Sequence, residues 1–146
     1  VNDLCRQAVS LGKIVLHSRG MQKRDFIPLH DVTRAIKHVI EWPEQEFGCG
    51  PFNLGGEASY RIIDLAEFTA TRCEAVLGYR PEIERQESAH DEESLELTYC
   101  IDKLKKTGFS LNGKIENEID ATLVFCQKAF GKPPGLQVSI EPKRGS

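Results

Sequence analysis

The stretch from Phe52 to Gly78 constrains the fold more tightly than any other part of the chain. Phe52-Asn53-Leu54 is a short β-prone run, Gly55-Gly56 turns it, and Ser59 stands where a helix N-cap belongs. From there Ile62, Leu65, Ala66, Thr69, Cys73, Val76 and Leu77 recur at helical spacing, and Gly78 supplies a left-handed stop. Just upstream, Val32, Ala35, Ile36, Val39 and Ile40 mark another amphipathic helix that ends at Trp42-Pro43. Helix, strand and helix joined by tight connections make half of an α/β crossover, whose strand lies parallel to its neighbours. No convincing partner strands for it stand elsewhere in the sequence. The pattern therefore predicts an α/β protein, mixed α+β in this chain, whose sheet is completed by another part of the molecule.

The totals bound the partners. A chain of 146 residues is one domain's worth, and 40% hydrophobic with 28% charged residues excludes disorder throughout. A formal net charge of −3 gives no support to nucleic acid or an anionic membrane as the main partner. No apolar run approaches the roughly 20 residues that span a bilayer, and no signal peptide opens the chain. Cys5, Cys49, Cys73, Cys100 and Cys126 are odd in number and form no C-x-x-C, which fits reduced thiols and a cytoplasmic location. His17, His30, His38 and His90 show no metal-ligand spacing.

The remaining elements follow from local pattern. Val1, Leu4, Cys5, Ala8 and Leu11 form a helical stripe stopped by Gly12, with Asn2 as its cap; a chain that starts on such a stripe reads as a piece of a longer one. Ile14 to His17 is strand-like and turned by Ser18-Arg19-Gly20, Phe26 to Leu29 is extended ahead of Pro28, and Asp31 is the expected N-cap of the next helix. Pro81 to Arg85 alternates as a strand of a smaller domain, Gln86 to Glu93 is a polar loop, and Leu95 to Ile101 is a strand. Asp102 caps a short helix packed through Leu104 and stopped at Gly108-Phe109, with Lys103, Lys105 and Lys106 as exposed charge. Ile115, Ile119, Thr122, Leu123, Cys126 and Phe130 define a last helix ended by Gly131, and residues 132–146 read as a flexible tail.

One segment offers a binding group. Gly20 to Val32 sets a glycine turn and the side chains of Gln22, Lys23 and Arg24 ahead of an apolar run and a helix. The planar fork of Arg24 can hold two phosphate oxygens at once, although the same side chain also suits a solvated charge or a pair with Asp25.

Gly20-x-Gln22-x-Arg24-Asp25-Phe26-Ile27 followed by Asp31-Val32 resembles the G-x-Q-x-R-D-F-I-H-V-x-D-V segment of the extended short-chain dehydrogenase/reductases, the nucleotide-sugar epimerases and dehydratases. Phe52-Asn53-Leu54-Gly55-Gly56 with Ser59 and Asp64-Leu65-Ala66-Glu67 resembles that family's late strand, turn and helix. Asp102 to Phe109 resembles its helix ending in Gly-Phe. The three matches run in the family's order and belong to its C-terminal half. The resemblance implies that residues 1–131 are the substrate-binding region together with the last strand and helix elements of a Rossmann-type fold. It implies that Arg24 and Gln22 meet the pyrophosphate of a nucleoside-diphosphate sugar, and that the strand around Leu16 runs beside the base. His90 stands where the family carries a second phosphate-binding arginine in an R-x-G-D motif; that motif is absent, and Arg85 is an unaligned substitute.

The family's redox chemistry needs a glycine-rich turn for NAD or NADP and a tyrosine–lysine pair at Y-x-x-x-K spacing on one helix. Gly48-x-Gly50-x-x-Asn53 precedes a strand instead of following one, so it is not a cofactor loop. Tyr99 and Lys103 have the spacing but straddle a strand-to-helix junction with Asp102 between them. The expectation is a chain that binds no cofactor and is inert alone, its NAD-binding N-terminal domain being a separate part of a parent that the resemblance also allows to be a homodimer. The other reading is a free-standing binding or interaction module of the same shape.

Overall fold

A computed structural model describes residues 1–43, 51–86 and 99–131 of the chain. Helix α1 spans Asn2–Leu11, strand β1 Lys13–Leu16, strand β2 Lys23–Asp25 and helix α2 Leu29–Glu41. Strand β3 follows at Ser59–Arg61, then helix α3 at Ile62–Leu77, strand β4 at Glu82–Arg85, the short helix α4 at Asp102–Lys105 and helix α5 at Ile115–Phe130. The fold class is α/β. β1 and β4 form a parallel pair with Ile14 opposite Ile83 and Leu16 opposite Arg85, while β2 and β3 pair antiparallel.

The main core lies where α1, α3 and α5 meet β1. Leu4, Cys5 and Ala8 from α1, Leu65, Ala66, Ala70 and Cys73 from α3, and Ile119, Leu123 and Cys126 from α5 close over Ile14 and Leu16. Alanines and cysteines on the α1 and α3 faces leave room for close approach, and the larger leucines and isoleucines fill the remainder. Gly12 and Gly78 both adopt the left-handed conformation at the C-termini of α1 and α3, as the sequence predicts. A bidentate pair from Arg72 to Asp120 ties α3 to α5 beside this core.

A second, smaller cluster gathers Ala35, Leu104 and Phe109, with Val39, Phe52, Leu54 and Leu111 around it. Here the sequence expectations need correction. Phe52-Asn53-Leu54 is not a strand: its apolar side chains pack on this cluster, and the strand falls later, at Ser59–Arg61, antiparallel to β2. Strand partners do exist within the chain, and Pro81 to Arg85 does hold the expected strand, since β4 pairs in parallel with β1.

The expected caps also move. Pro28, Arg61 and Ile101 occupy the N-cap positions of α2, α3 and α4, and Val1 that of α1; none makes a side-chain cap bond, nor do Asp31, Ser59, Asp102 and Asn2 stand there. On α2 only Ala35 of the apolar stripe is buried, while Ile36 and Ile40 are 56% and 76% exposed. Lys103 and Lys105 are engaged: Lys103 donates to the Pro51 carbonyl and lies over the Phe52 ring, and Lys105 pairs with Glu57. Of the strand expected at 95–101, residues 99–101 are not strand and the others lie outside the described residues, as do Gly48 to Gly50, residues 87–93 of the polar loop, and the tail at 132–146.

Candidate functional site

The segment that carries Arg24 leaves the carboxyl end of β1 and is fastened to the start of α3. Gly20 sits at φ +73°, and a Cβ there would lie 3.0 Å from both the Cβ and the backbone nitrogen of Ile63, so the turn admits glycine for reasons of both conformation and space. The Ile63 N–H donates to the Gly20 carbonyl at 2.9 Å and the Ile62 N–H to the Gln22 carbonyl at 3.0 Å. Two of the orphan amides that open α3 are thereby satisfied by this loop. They are not available as a phosphate cradle. Positive charge at this place must come from side chains.

Arg24 provides it. In β2 it stands opposite Tyr60 of β3, its guanidinium is exposed, and its Nη2 donates to Gln22 Oε1 at 3.4 Å. The geometry brings Arg24 and Gln22 together. Asp25, the alternative ion-pair partner, turns its carboxylate elsewhere: Oδ1 accepts the Gly56 N–H at 2.7 Å. Leu16 is buried in the main core, and its carbonyl accepts the Gln86 N–H at 3.0 Å. His90 lies outside the described residues. Arg85 reaches Glu67 of α3 at 4.0 Å, within a surface set that also joins Arg80 to Glu67 and Glu74.

Tyr99 and Lys103 serve the packing around Phe52. The Tyr99 side chain presses on Gly55, where a Cβ would come within 2.5 Å of the Tyr99 Cβ, and Lys103 is committed to Pro51 and Phe52. The thiols of Cys5, Cys73 and Cys126 are raised by burial, Cys5 to about 12, which keeps them protonated and poor nucleophiles. Burial raises Tyr79 as well, its hydroxyl donating to the Ala8 carbonyl at 2.9 Å. Among the described residues no group of three or more His, Cys, Asp or Glu could hold a metal ion, and no helix is long and apolar enough to cross a membrane.

Sequence reasoning missed what Asp31 does. Its side chain is fully buried, and its two oxygens accept the Asn112 and Gly113 N–H groups at 3.1 and 2.8 Å and Arg34 Nη1 at 2.8 Å. Burial works to raise this carboxyl, but the two backbone donors and the Arg34 guanidinium outweigh it and hold it below the usual aspartate value. Arg34 also donates to the Ser110 carbonyl and covers the Phe109 ring. No local pattern announces a contact that spans 82 positions.

Grooves open on the described surface away from Arg24. One of about 650 Å³ has Val1, Arg6, Phe26, Leu29, Phe125 and Phe130 among its walls; another of about 280 Å³ lies between His30, Lys114 and Asn117. Neither lining includes Arg24, Gln22 or Leu16.

No family model and no curated protein matches the sequence. Solved structures do match the fold. RMD from Pseudomonas aeruginosa, complexed with NADPH, aligns with a TM-score of 0.69 at 16% identity over 88% of this chain and 42% of its own. UDP-glucuronic acid 4-epimerase from Bacillus cereus, in complex with UDP-glucuronic acid and NAD, aligns at 0.68 and 19% over 88% and 39%. UDP-N-acetylglucosamine 4-epimerase from Methanobrevibacter ruminantium, in complex with UDP-N-acetylmuramic acid, aligns at 0.67 and 22%, again over 88% and 39%. The chain thus spans about two fifths of the length of these structures, and at such identities the likeness is one of fold: a Rossmann-type α/β architecture.

Proposed function

We propose that this chain is the substrate-side part of an NAD(P)-dependent epimerase or dehydratase that acts on a nucleoside-diphosphate sugar, with Arg24 gripping the pyrophosphate. The observation that carries the reading is the placement of Arg24. An exposed guanidinium, with Gln22 beside it, follows the carboxyl end of a parallel strand, which is where ligands bind in open α/β sheets. Arginine's two parallel N–H donors match a diphosphate better than a point charge does. The fold supports the same reading, because two of its structural neighbours hold UDP-sugars.

The described residues do not fit a dinucleotide cofactor. Gly20, past the end of β1, has its N–H on Ser18 Oγ and its carbonyl on Ile63, while the Gly56 N–H is taken by Asp25. Both of those glycine amides are committed within the chain and are not open to a pyrophosphate. No step of this chain's own chemistry runs through NAD(P); in this proposal the cofactor and the acid–base pair belong to a separate segment that adds strands beside β1 and β4.

The test is a titration of UDP into the chain, followed by amide NMR shifts. A charge-assisted contact contributes about 1.5–3 kcal/mol, so Arg24→Ala is expected to weaken UDP binding by roughly ten- to a hundredfold. Equal responses from the two proteins remove Arg24 from the phosphate role.

A further inference from the structure

We infer that Asp25 is a positioning residue for Arg24, an inference that rests on the pyrophosphate reading above. Neighbouring residues of a strand project to opposite faces, so the guanidinium of Arg24 and the carboxylate of Asp25 leave β2 in opposite directions. The carboxylate points to the Gly55-Gly56 turn and takes the Gly56 N–H at 2.7 Å. A Cβ on Gly55 would sit 3.2 Å from that same oxygen, and a Cβ on Gly56 would overlap the Phe26 carbonyl. The glycine pair lets the turn close onto the back of the strand, and Asp25 latches it there.

β2 is a short strand, and the latch ties its trailing end to the glycine turn. The strand is three residues long and, among the described residues, pairs with the three residues of β3. Its leading end is held by Ile62 and Ile63 on the Gln22 and Gly20 carbonyls. Past its trailing end, the next backbone bond, from the Phe26 N–H to the Ala58 carbonyl, is long at 3.4 Å. Without the Asp25 bond, the strand end that aims Arg24 loses its tie to the Gly55-Gly56 turn. Loss of that tie costs preorganisation toward a diphosphate. Asp25 never touches that ligand in this arrangement; it acts through the backbone that carries Arg24.

The experiment compares wild type, Asp25→Ala, Asp25→Asn and Arg24→Ala by UDP titration, by thermal unfolding, and by the Arg24 Nε–Hε resonance without ligand. Asp25→Ala is expected to raise the UDP Kd about tenfold and to narrow the Arg24 signal toward that of a freely rotating arginine. Asp25→Asn keeps an oxygen for the Gly56 N–H, and its Kd is expected within about threefold of wild type. A merely structural role would lower the unfolding temperature and leave the Arg24 resonance unchanged. If Asp25→Ala does not fold, Asp25→Glu replaces it, displacing the oxygen by one methylene. Wild-type UDP affinity and an unchanged Arg24 resonance in either variant overturn the inference while the pyrophosphate reading stands. Wild-type affinity in Arg24→Ala, or no UDP binding by the wild-type chain, overturns the reading itself, and the inference falls with it.

Discussion

In the larger core, Leu65, Ile119 and Leu123 present hydrocarbon to hydrocarbon, whereas the smaller cluster of Ala35, Leu104 and Phe109 is closed from one side by a buried carboxylate. Asp31 pins the Asn112-Gly113 turn, and the Arg34 that pairs with Asp31 also lies over Phe109. His38 completes that side, its Nε2 2.8 Å from Thr107 Oγ1 and its ring between Trp42 and Phe109. Burial of apolar area does not depend on direction or on pH. A carboxylate clamp depends on both. The difference teaches that one chain can hold two regions together by means that respond to different perturbations.

Substitutions should separate the two. Leu123→Ala, which opens a cavity among three helices, is expected to cost about 3 kcal/mol in denaturant unfolding. Asp31→Ala leaves two backbone amides and a guanidinium without their acceptor and is expected to cost about 2 kcal/mol, with the amide signals of Asn112 and Gly113 moving most. If the amides of α1 shift as much as those of Gly113 in that variant, the two regions are not separable. The smallest effect is in acid. The native Asp31 carboxyl is held low, so its stabilisation is complete above the unfolded aspartate value of about 4 and fades as pH falls through the native one. The Gly113 amide should therefore titrate below about pH 4 in wild type and not in Asp31→Asn. Asp3 and Asp64 are also held low by Arg6 and Arg61, but at exposed sites where such pairs contribute little.

The larger core was legible in the sequence because its helices advertise themselves. The stripes of α1, α3 and α5 have the helical period, and Gly12 and Gly78 stop two of them where the chain turns. The smaller region was read less well, for physical reasons. Phe52 and Leu54 look like strand residues because they are apolar, yet what they satisfy is packing beneath α4. In the larger region, the alternation of Pro81 to Arg85 did announce β4, whose Ile83 turns toward the core, but no local pattern named β1 as its parallel partner. Asp31 has the position and chemistry of a cap, and only the fold reveals that its partners stand some 80 positions away. At the candidate site, the guanidinium of Arg24 was visible from motif and residue type. The Asp25 latch was not, because nothing near Asp25 in sequence names Gly56.

The parallel pairing of β1 with β4 has one further consequence. Lys13 and Glu84 meet across it although 71 positions separate them. The entropy lost in closing so wide a loop grows only with the logarithm of its length, and doubling the intervening chain adds about 0.6 kcal/mol. Lengthened connections inside that loop are thus cheap, and related chains can diverge there in size while β1 and β4 keep their register.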